Sequence, residues 1–241
     1  MAQNSSRYGL VALLPMKAHS ARVVSKNFRP FAGKPLYRWI LDTLIATPQV
    51  DLIAINTDAR EILAETGLQD GDADGRVMIR DRRPEICGDL VSMNLVLADD
   101  LAAIEADTYL MTHTTNPLLS TGTIQSALSQ FEAARATGKA DSLFTVNKFQ
   151  TRFYRDNLSP VNHDPNNLIR TQDLEPWYEE NSNLYLFSRE SFAATEARIG
   201  ARPMFLEMAR IESCDIDGPD DWVIAEALAL HKGAVPESEV E

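Results

Sequence analysis

The chain has 241 residues, 44% hydrophobic and 24% charged, a composition that suits one folded core and is neither disorder-like nor membrane-like. A formal net charge of −12 opposes binding to a nucleic-acid duplex, where affinity comes mainly from phosphate neutralisation, yet it admits a small phosphorylated ligand wherever a few cations converge. The polar stretch from Met1 to Tyr8 and the lack of any run of about eighteen apolar residues predict a cytoplasmic protein with no membrane association, and Cys87 and Cys214 lack the spacing of a zinc site or a disulfide framework.

Short apolar, β-branched runs and stretches of helical spacing alternate along the chain. A strand at 10–14 precedes a helix at 35–45, a strand at 52–56 a helix at 61–66, and a strand at 77–79 a helix at 92–106. Strands at 109–112, 143–146 and 184–187 follow, with helices at 121–136 and 220–231. This order predicts a three-layer α/β sandwich with a mostly parallel, Rossmann-like sheet, in which ligands sit beyond the carboxyl ends of the strands. No linker divides the chain, so residues 1–241 read as one domain. The stretch 148–177, with Pro160, Pro165, Pro176 and several asparagines, breaks the alternation and reads as a small inserted lobe.

After the first strand comes a polar segment, 15–27, carrying Lys17, Arg22 and Lys26 together with the hydroxyl of Ser20. Long basic side chains and backbone N–H groups in a strand–loop–helix unit can surround a triphosphate. No glycine lies between Gly9 and Gly33, so the segment is neither a Walker A loop nor a dinucleotide fingerprint, and it reads equally as a solvated basic loop. Near the other end stands Cys214-Asp215-Ile216-Asp217-Gly218-Pro219-Asp220-Asp221-Trp222, expected at the end of a strand and just before the last helix. In an extended segment Asp215 and Asp217 would aim their carboxylates to one side, a pair suited to magnesium. The competing reading is a helix-capping cluster of Asp217, Asp220 and Asp221.

Lys17, Ser20, Arg22, Lys26-Asn27 and Gly33-Lys34-Pro35-Leu36 together resemble the N-terminal signature of the CMP-sialic acid synthetases, or acylneuraminate cytidylyltransferases. Four further blocks follow in the family's order. They are Arg82-Arg83-Pro84 with Asp89 and Ser92; His113-Thr114-Thr115-Asn116-Pro117-Leu118, similar to a Gln-Pro-Thr-Ser-Pro-Leu turn; Arg170-Thr171-Gln172-Asp173-Leu174 with Tyr178, Glu180 and Asn181; and Asp215-Ile216-Asp217 with Asp221-Trp222. The chain departs from the pattern at Lys17, usually Arg, at Ala21-Arg22, usually Lys-Gly, at Val24, usually Pro, at His113, usually Gln, and at Leu119, usually Arg.

The resemblance implies a nucleotidyltransferase that joins CMP from CTP to the anomeric hydroxyl of a nonulosonic (sialic-type) 2-keto sugar acid, releases pyrophosphate, uses magnesium and forms a homodimer through the lobe. It implies Lys17, Ser20 and Arg22 on the β- and γ-phosphates and Lys26 on the α-phosphate. Asn27, Arg82, Arg83 and Ser92 would read the nucleotide, and Asp215 and Asp217 would hold the metal. Lys148 and Arg170 are expected on the sugar carboxylate, with His113, Gln172 and Tyr178 on the rest of the sugar. A salt bridge of the arginines to Asp81 or Glu85 and an N-cap at Ser92 are the structural alternatives for those residues. The functional alternatives are a 3-deoxy-manno-octulosonate cytidylyltransferase, a nucleotide-sugar-binding homologue without turnover, and a glycosyltransferase using an Asp-X-Asp pair.

Overall fold

The computed structural model describes residues 8–20 and 23–234. Its strands are β1 (Tyr8–Leu13), β2 (Pro30–Phe31), β3 (Lys34–Pro35), β4 (Leu52–Thr57), β5 (Val77–Asp81), β6 (Ala106–Thr112), β7 (Ser142–Phe149), β8 (Trp177–Phe187) and β9 (Pro203–Glu207). Its helices are α1 (Leu36–Ala46), α2 (Arg60–Glu65), α3 (Met93–Ala103), α4 (Thr121–Ala136), α5 (Arg189–Thr195) and α6 (Pro219–Ala234).

Seven strands form one sheet in the order β5-β4-β1-β6-β8-β7-β9, in which only β8 runs against its neighbours. β4 is buried along its whole length, as a strand covered on both faces must be. β1 shows how the two faces are divided: Leu10 and Ala12 pack with Ile40 and Leu44 of α1 and Ile124 and Phe131 of α4, whereas Val11 and Leu13 pack with Leu97 and Leu101 of α3 and Phe192 of α5. Period-two alternation in a strand thus produces the three layers.

The structure corrects the expected elements in particular places. The helix expected to reach 106 ends at Ala103, because Ala106 already pairs with Tyr8 and extends β6. The seven-residue α5, started by a capping box at Ser188, and the edge strand β9, which begins on a proline and pairs only with β7, carry too little periodicity to be read. No strand runs into Asp215: β9 ends at Glu207, and turns and irregular backbone fill 208–218.

A third apolar cluster sets the position of the C-terminal aspartates. Phe31 in the β2–β3 hairpin, Leu118 after β6, Ile216, and Trp222 and Ala225 of α6 pack together, with the Phe31 and Trp222 rings edge to face at 5.3 Å. The hairpin turns through Ala32 and Gly33, both at positive φ, and the Ala32 N–H donates to Glu226 of α6 at 2.8 Å. Fully burying a side chain such as Ile216 is worth roughly 1.5–3 kcal/mol, so the segment carrying Asp215 and Asp217 is anchored by its middle residue.

Because β7 runs parallel to β1, β4 and β6, the 150–176 segment leaves the sheet at the same carboxyl edge as the loops after those strands. The aromatic residues noted there pack mainly on one another: the Phe153 ring stacks on Trp177 at 5.3 Å, Phe149 lies 6.3 Å from Phe153, and Tyr154 meets His163.

Candidate active site

A cavity of about 430 Å³ opens at the carboxyl edge of the sheet between the loops after β1, β5 and β6. Lys17, Ser20, Lys26, Asn27, Arg82 and His113 line it, so six residues singled out from distant parts of the sequence meet at one place. Arg22 lies outside the described residues.

Each of these side chains is held differently. The Lys17 ammonium pairs with Asp89 at 2.6 Å, which pulls the Asp89 carboxyl below the usual range. Asn27 is buried; its amide nitrogen donates to the Lys17 carbonyl at 2.8 Å and its oxygen accepts from Thr114 at 2.6 Å, which ties the first loop to the loop after β6. The Ala18 N–H donates to Asp58, just beyond β4, at 2.7 Å. His113 is desolvated and faces the positive charges of Arg198 and Lys26, so its pKa is pushed down to about 3 and the ring is neutral at physiological pH.

The Lys26 ammonium donates to the carbonyl oxygen of Ile216 at 2.6 Å. Ile216 is buried and its N–H donates to Thr115 at 2.9 Å, while Asp215 and Asp217 on either side are half-buried. Burial, together with the charges of Asp217 and Asp221, raises the Asp215 pKa above the usual carboxylate value. The Asn116 amide nitrogen approaches Asp215 at 3.5 Å, and the Asn116 side-chain oxygen is buried without a hydrogen-bond partner among the described residues. Helix capping falls to Asp221, whose carboxylate accepts from the Asp217 and Gly218 N–H groups at 3.0 and 2.7 Å.

An oxygen-only donor set of crowded carboxylates beside an orphaned carbonyl oxygen fits a hard divalent cation such as magnesium. Among the described residues no group of three or more His, Cys, Asp or Glu is arranged for a metal, so Asp215 and Asp217 would provide part of the shell and leave the rest to water and ligand oxygens.

The structure does not bring the remaining expected residues to this cavity. The Arg83 Nε pairs with Asp99 at 2.7 Å, not with Asp81 or Glu85, and Asp81 is held by Arg60. Ser92 is the N-cap of α3, accepting from the Asn94 N–H at 3.3 Å. Lys148 and Tyr178 face each other across the β7–β8 ladder, with the Tyr178 ring on Phe205 at 4.6 Å. Arg170 forms a bidentate pair with Asp173 at 2.8 and 3.0 Å, and the Gln172 carbonyl accepts from Gln150.

A second cavity of about 350 Å³ adjoins the first through Met93, which lines both. Ser92, Asn94, Glu180 and Arg198 form its polar walls. The register of β7 on β8 jumps between Phe144 and Val146, leaving Asn181 to Leu184 of β8 opposite Thr145, with Ser182 at φ 55°. In that bulge Tyr185 donates to Glu180, and the Arg198 guanidinium lies 4.0 Å above the Tyr185 ring and 3.4 Å from Glu180. Arg198 carried no sequence signal, since it sits in an irregular turn after α5.

A family model described as cytidylyltransferase matches residues 11–227. The chain is 28% identical over 237 residues to an N-acylneuraminate cytidylyltransferase of Oncorhynchus mykiss, covering 93% of this chain and 51% of the relative. It is 25% identical over 229 residues to a CMP-N,N'-diacetyllegionaminic acid synthase of Legionella pneumophila, covering 91% and 95%. The chain thus spans about half the length of the N-acylneuraminate relatives and nearly all of the legionaminic one. Its fold matches a solved CMP:2-keto-3-deoxy-manno-octonic acid synthetase complexed with CTP at a TM-score of 0.61 and 12% identity, over 94% of this chain and 100% of that one. No helix among the described residues is long and apolar enough to cross a membrane.

Proposed function

Since the chain belongs to the cytidylyltransferase family and resembles its CMP-sialic acid synthetases over most of its length, we propose that it transfers CMP from CTP to the anomeric hydroxyl of a nonulosonic 2-keto sugar acid. The new bond joins that oxygen to the α-phosphorus. The bond from the α-phosphorus to the bridging oxygen breaks, pyrophosphate leaves, and the hydroxyl proton passes to solvent. One observation carries the reading: the Lys26 ammonium is fixed to the backbone between Asp215 and Asp217 beside a cavity that also holds Lys17 and Ser20. A cation and an oxygen-donor pair in that arrangement suit the phosphates of a nucleoside triphosphate.

Little covalent chemistry falls to the protein in phosphoryl-type transfer; position and charge do most of it. Lys26 acts on the α-phosphate, where charge grows, and Lys17, Ser20 and Arg22 act on the β- and γ-phosphates. Lys17 exchanges Asp89 for phosphate when nucleotide enters. Asn27 and Arg82, on the wall of the same cavity, serve the rest of the nucleotide. Asp215 and Asp217 would hold magnesium, which when bound neutralises phosphate charge and lowers the pKa of a coordinated hydroxyl. His113, being neutral, orients the acceptor and is too weak a base to take its proton.

The acceptor occupies the adjoining cavity. Arg198 offers donors for its carboxylate and Glu180 an acceptor for its hydroxyls, the roles expected of Lys148, Arg170 and Gln172 from the sequence. The test is pyrophosphate release with CTP and a panel of N-acetylneuraminic, legionaminic, pseudaminic and 3-deoxy-manno-octulosonic acids. Turnover of a nonulosonic acid is expected; turnover of the octulosonate alone, or of none with CTP bound, would replace the reading with one of its rivals.

A further inference from the structure

We propose that Asn56, on β4, is a positioning residue for nucleotide binding: it aims Arg82 into the cavity without neutralising it, and Asp100 on α3 fixes the Asn56 amide so that it can. The inference deepens the function proposed above and rests on it.

Arg82 is buried and lines the cavity, yet among the described residues none of its direct partners is an acid. Its Nε donates to the Asn56 side-chain oxygen at 2.9 Å, and its Nη2 donates to the backbone carbonyls of Asn56 at 2.7 Å and Met16 at 3.1 Å. Two of the three guanidinium nitrogens are thereby fixed, whereas Nη1 makes no hydrogen bond among the described residues. Burial pushes the Arg82 pKa down by more than the charges of Asp58 and Asp100, neither hydrogen-bonded to it, raise it. A carboxylate at position 56 would hold the same nitrogen but cancel the charge that a ligand is to meet.

An amide can present either its oxygen or its nitrogen, and the nitrogen turned toward Arg82 would set donor against donor. Behind Asn56 the choice is removed. Its Nδ2 donates to Asp100 Oδ1 at 2.8 Å and lies 3.4 Å from Asp99 Oδ2, so Oδ1 must face Arg82. Both aspartates are held in turn by Arg80, which bonds to each, and Asp99 also by Arg83. The negative charge is thus paired one layer back, and Arg82 keeps its own at the cavity wall.

The test is a double-mutant cycle on CTP affinity of the full chain, measured by isothermal titration. Arg82→Ala and Asn56→Ala should each weaken CTP binding about ten-fold or more, and the double variant should bind within about two-fold of Arg82→Ala, since Asn56 has nothing left to aim. Asn56→Ala binding within about two-fold of the wild type, or losses that multiply in the double variant, would overturn the proposal. Should Asn56→Ala fail to fold, Asn56→Asp combined with Asp100→Asn decides: the pair keeps an acceptor for Arg82 Nε and a donor–acceptor contact behind it, so weaker CTP binding than in Asp100→Asn alone supports charge preservation and equal binding overturns it. The Arg82 Nε–H signal in a nitrogen-15 spectrum, assigned by its loss in Arg82→Ala, reads the geometry without nucleotide. Protection from exchange that disappears in Asp100→Asn or Asn56→Ala supports the positioning. A wild type that shows that protection and binds no CTP overturns the nucleotide reading, whereas bound CTP with an unprotected Nε–H overturns the positioning alone.

Discussion

Lys26 and Ile216 stand 190 positions apart, and the ammonium of the first donates to the carbonyl of the second at 2.6 Å. The bond joins the loop after β1 to the segment before α6, and the buried Ile216 side chain anchors that segment between Asp215 and Asp217. The electrostatics of the site depend on this contact.

Lys26→Met should therefore lower kcat for pyrophosphate release by about 100- to 1,000-fold, the usual effect of removing one preorganised donor from a developing charge, while the KM for CTP moves only a few-fold. Melting curves of the variant check that the chain still folds. A change confined to KM would assign Lys26 to ground-state binding and remove it from the α-phosphate.

Asp215 predicts a linked dependence on metal and pH. Its pKa is raised by burial and by Asp217 and Asp221, so it takes up a proton at a higher pH than an ordinary aspartate, and that proton competes with a cation for the same oxygens. The magnesium concentration giving half-maximal activity should rise as pH falls through the weakly acidic range, and Asp215→Asn should require far more magnesium at every pH. A chelator should abolish turnover in the wild type. A half-saturation point that ignores pH would take Asp215 out of the metal site.

The sheet was legible in the sequence because it arises from local rules. Buried parallel strands are written as apolar runs, their connecting helices as 3.6-residue periods, and loops after strands gather at one edge whatever the details. Lys17, Ser20 and Lys26, singled out as first-loop groups, and Asn27, Arg82 and His113, named through the family resemblance, share one cavity because their loops leave that edge. What the sequence hid depends on side-chain choices with no periodicity. Arg83 and Arg82 are adjacent and alike in type, yet one pairs with Asp99 and the other turns under the cavity. Arg198 meets Tyr185 where β8 bulges at Ser182, far from any pattern in the sequence, and Asn56 is defined by partners on two other elements.

Asp100 makes stability depend on pH. Its Oδ2 is buried without a partner among the described residues, and desolvation outweighs the pull of Asn56 and Arg80, raising its pKa from 3.8 to about 6. A carboxyl whose folded pKa lies above its unfolded value favours the folded state fully below the unfolded pKa, and that contribution disappears as pH rises through the folded one. The melting temperature of the wild type relative to Asp100→Asn should accordingly fall between about pH 4 and pH 7, by an amount equivalent to on the order of 3 kcal/mol. A constant difference across that range would show that Asp100 stays ionised throughout.

The segment between β7 and β8 supports self-association. Leu158 and Leu168 are 81% and 68% exposed, and Ile169, Tyr154, Trp177 and, on β9, Phe205 add further uncovered apolar surface, more than an isolated chain usually shows in one region. Lys148, Arg170, Gln172 and Tyr178 lie in or beside this segment and away from their own chain's cavity. Light scattering after gel filtration at micromolar concentration should therefore give the mass of a dimer, and Leu168→Glu with Ile169→Glu should convert it to monomer by placing charge on the apolar surface. If those four residues serve an acceptor across the interface, the monomeric variant retains CTP affinity and loses turnover. A wild-type monomer, or a variant monomer with full turnover, leaves the lobe no part in the reaction.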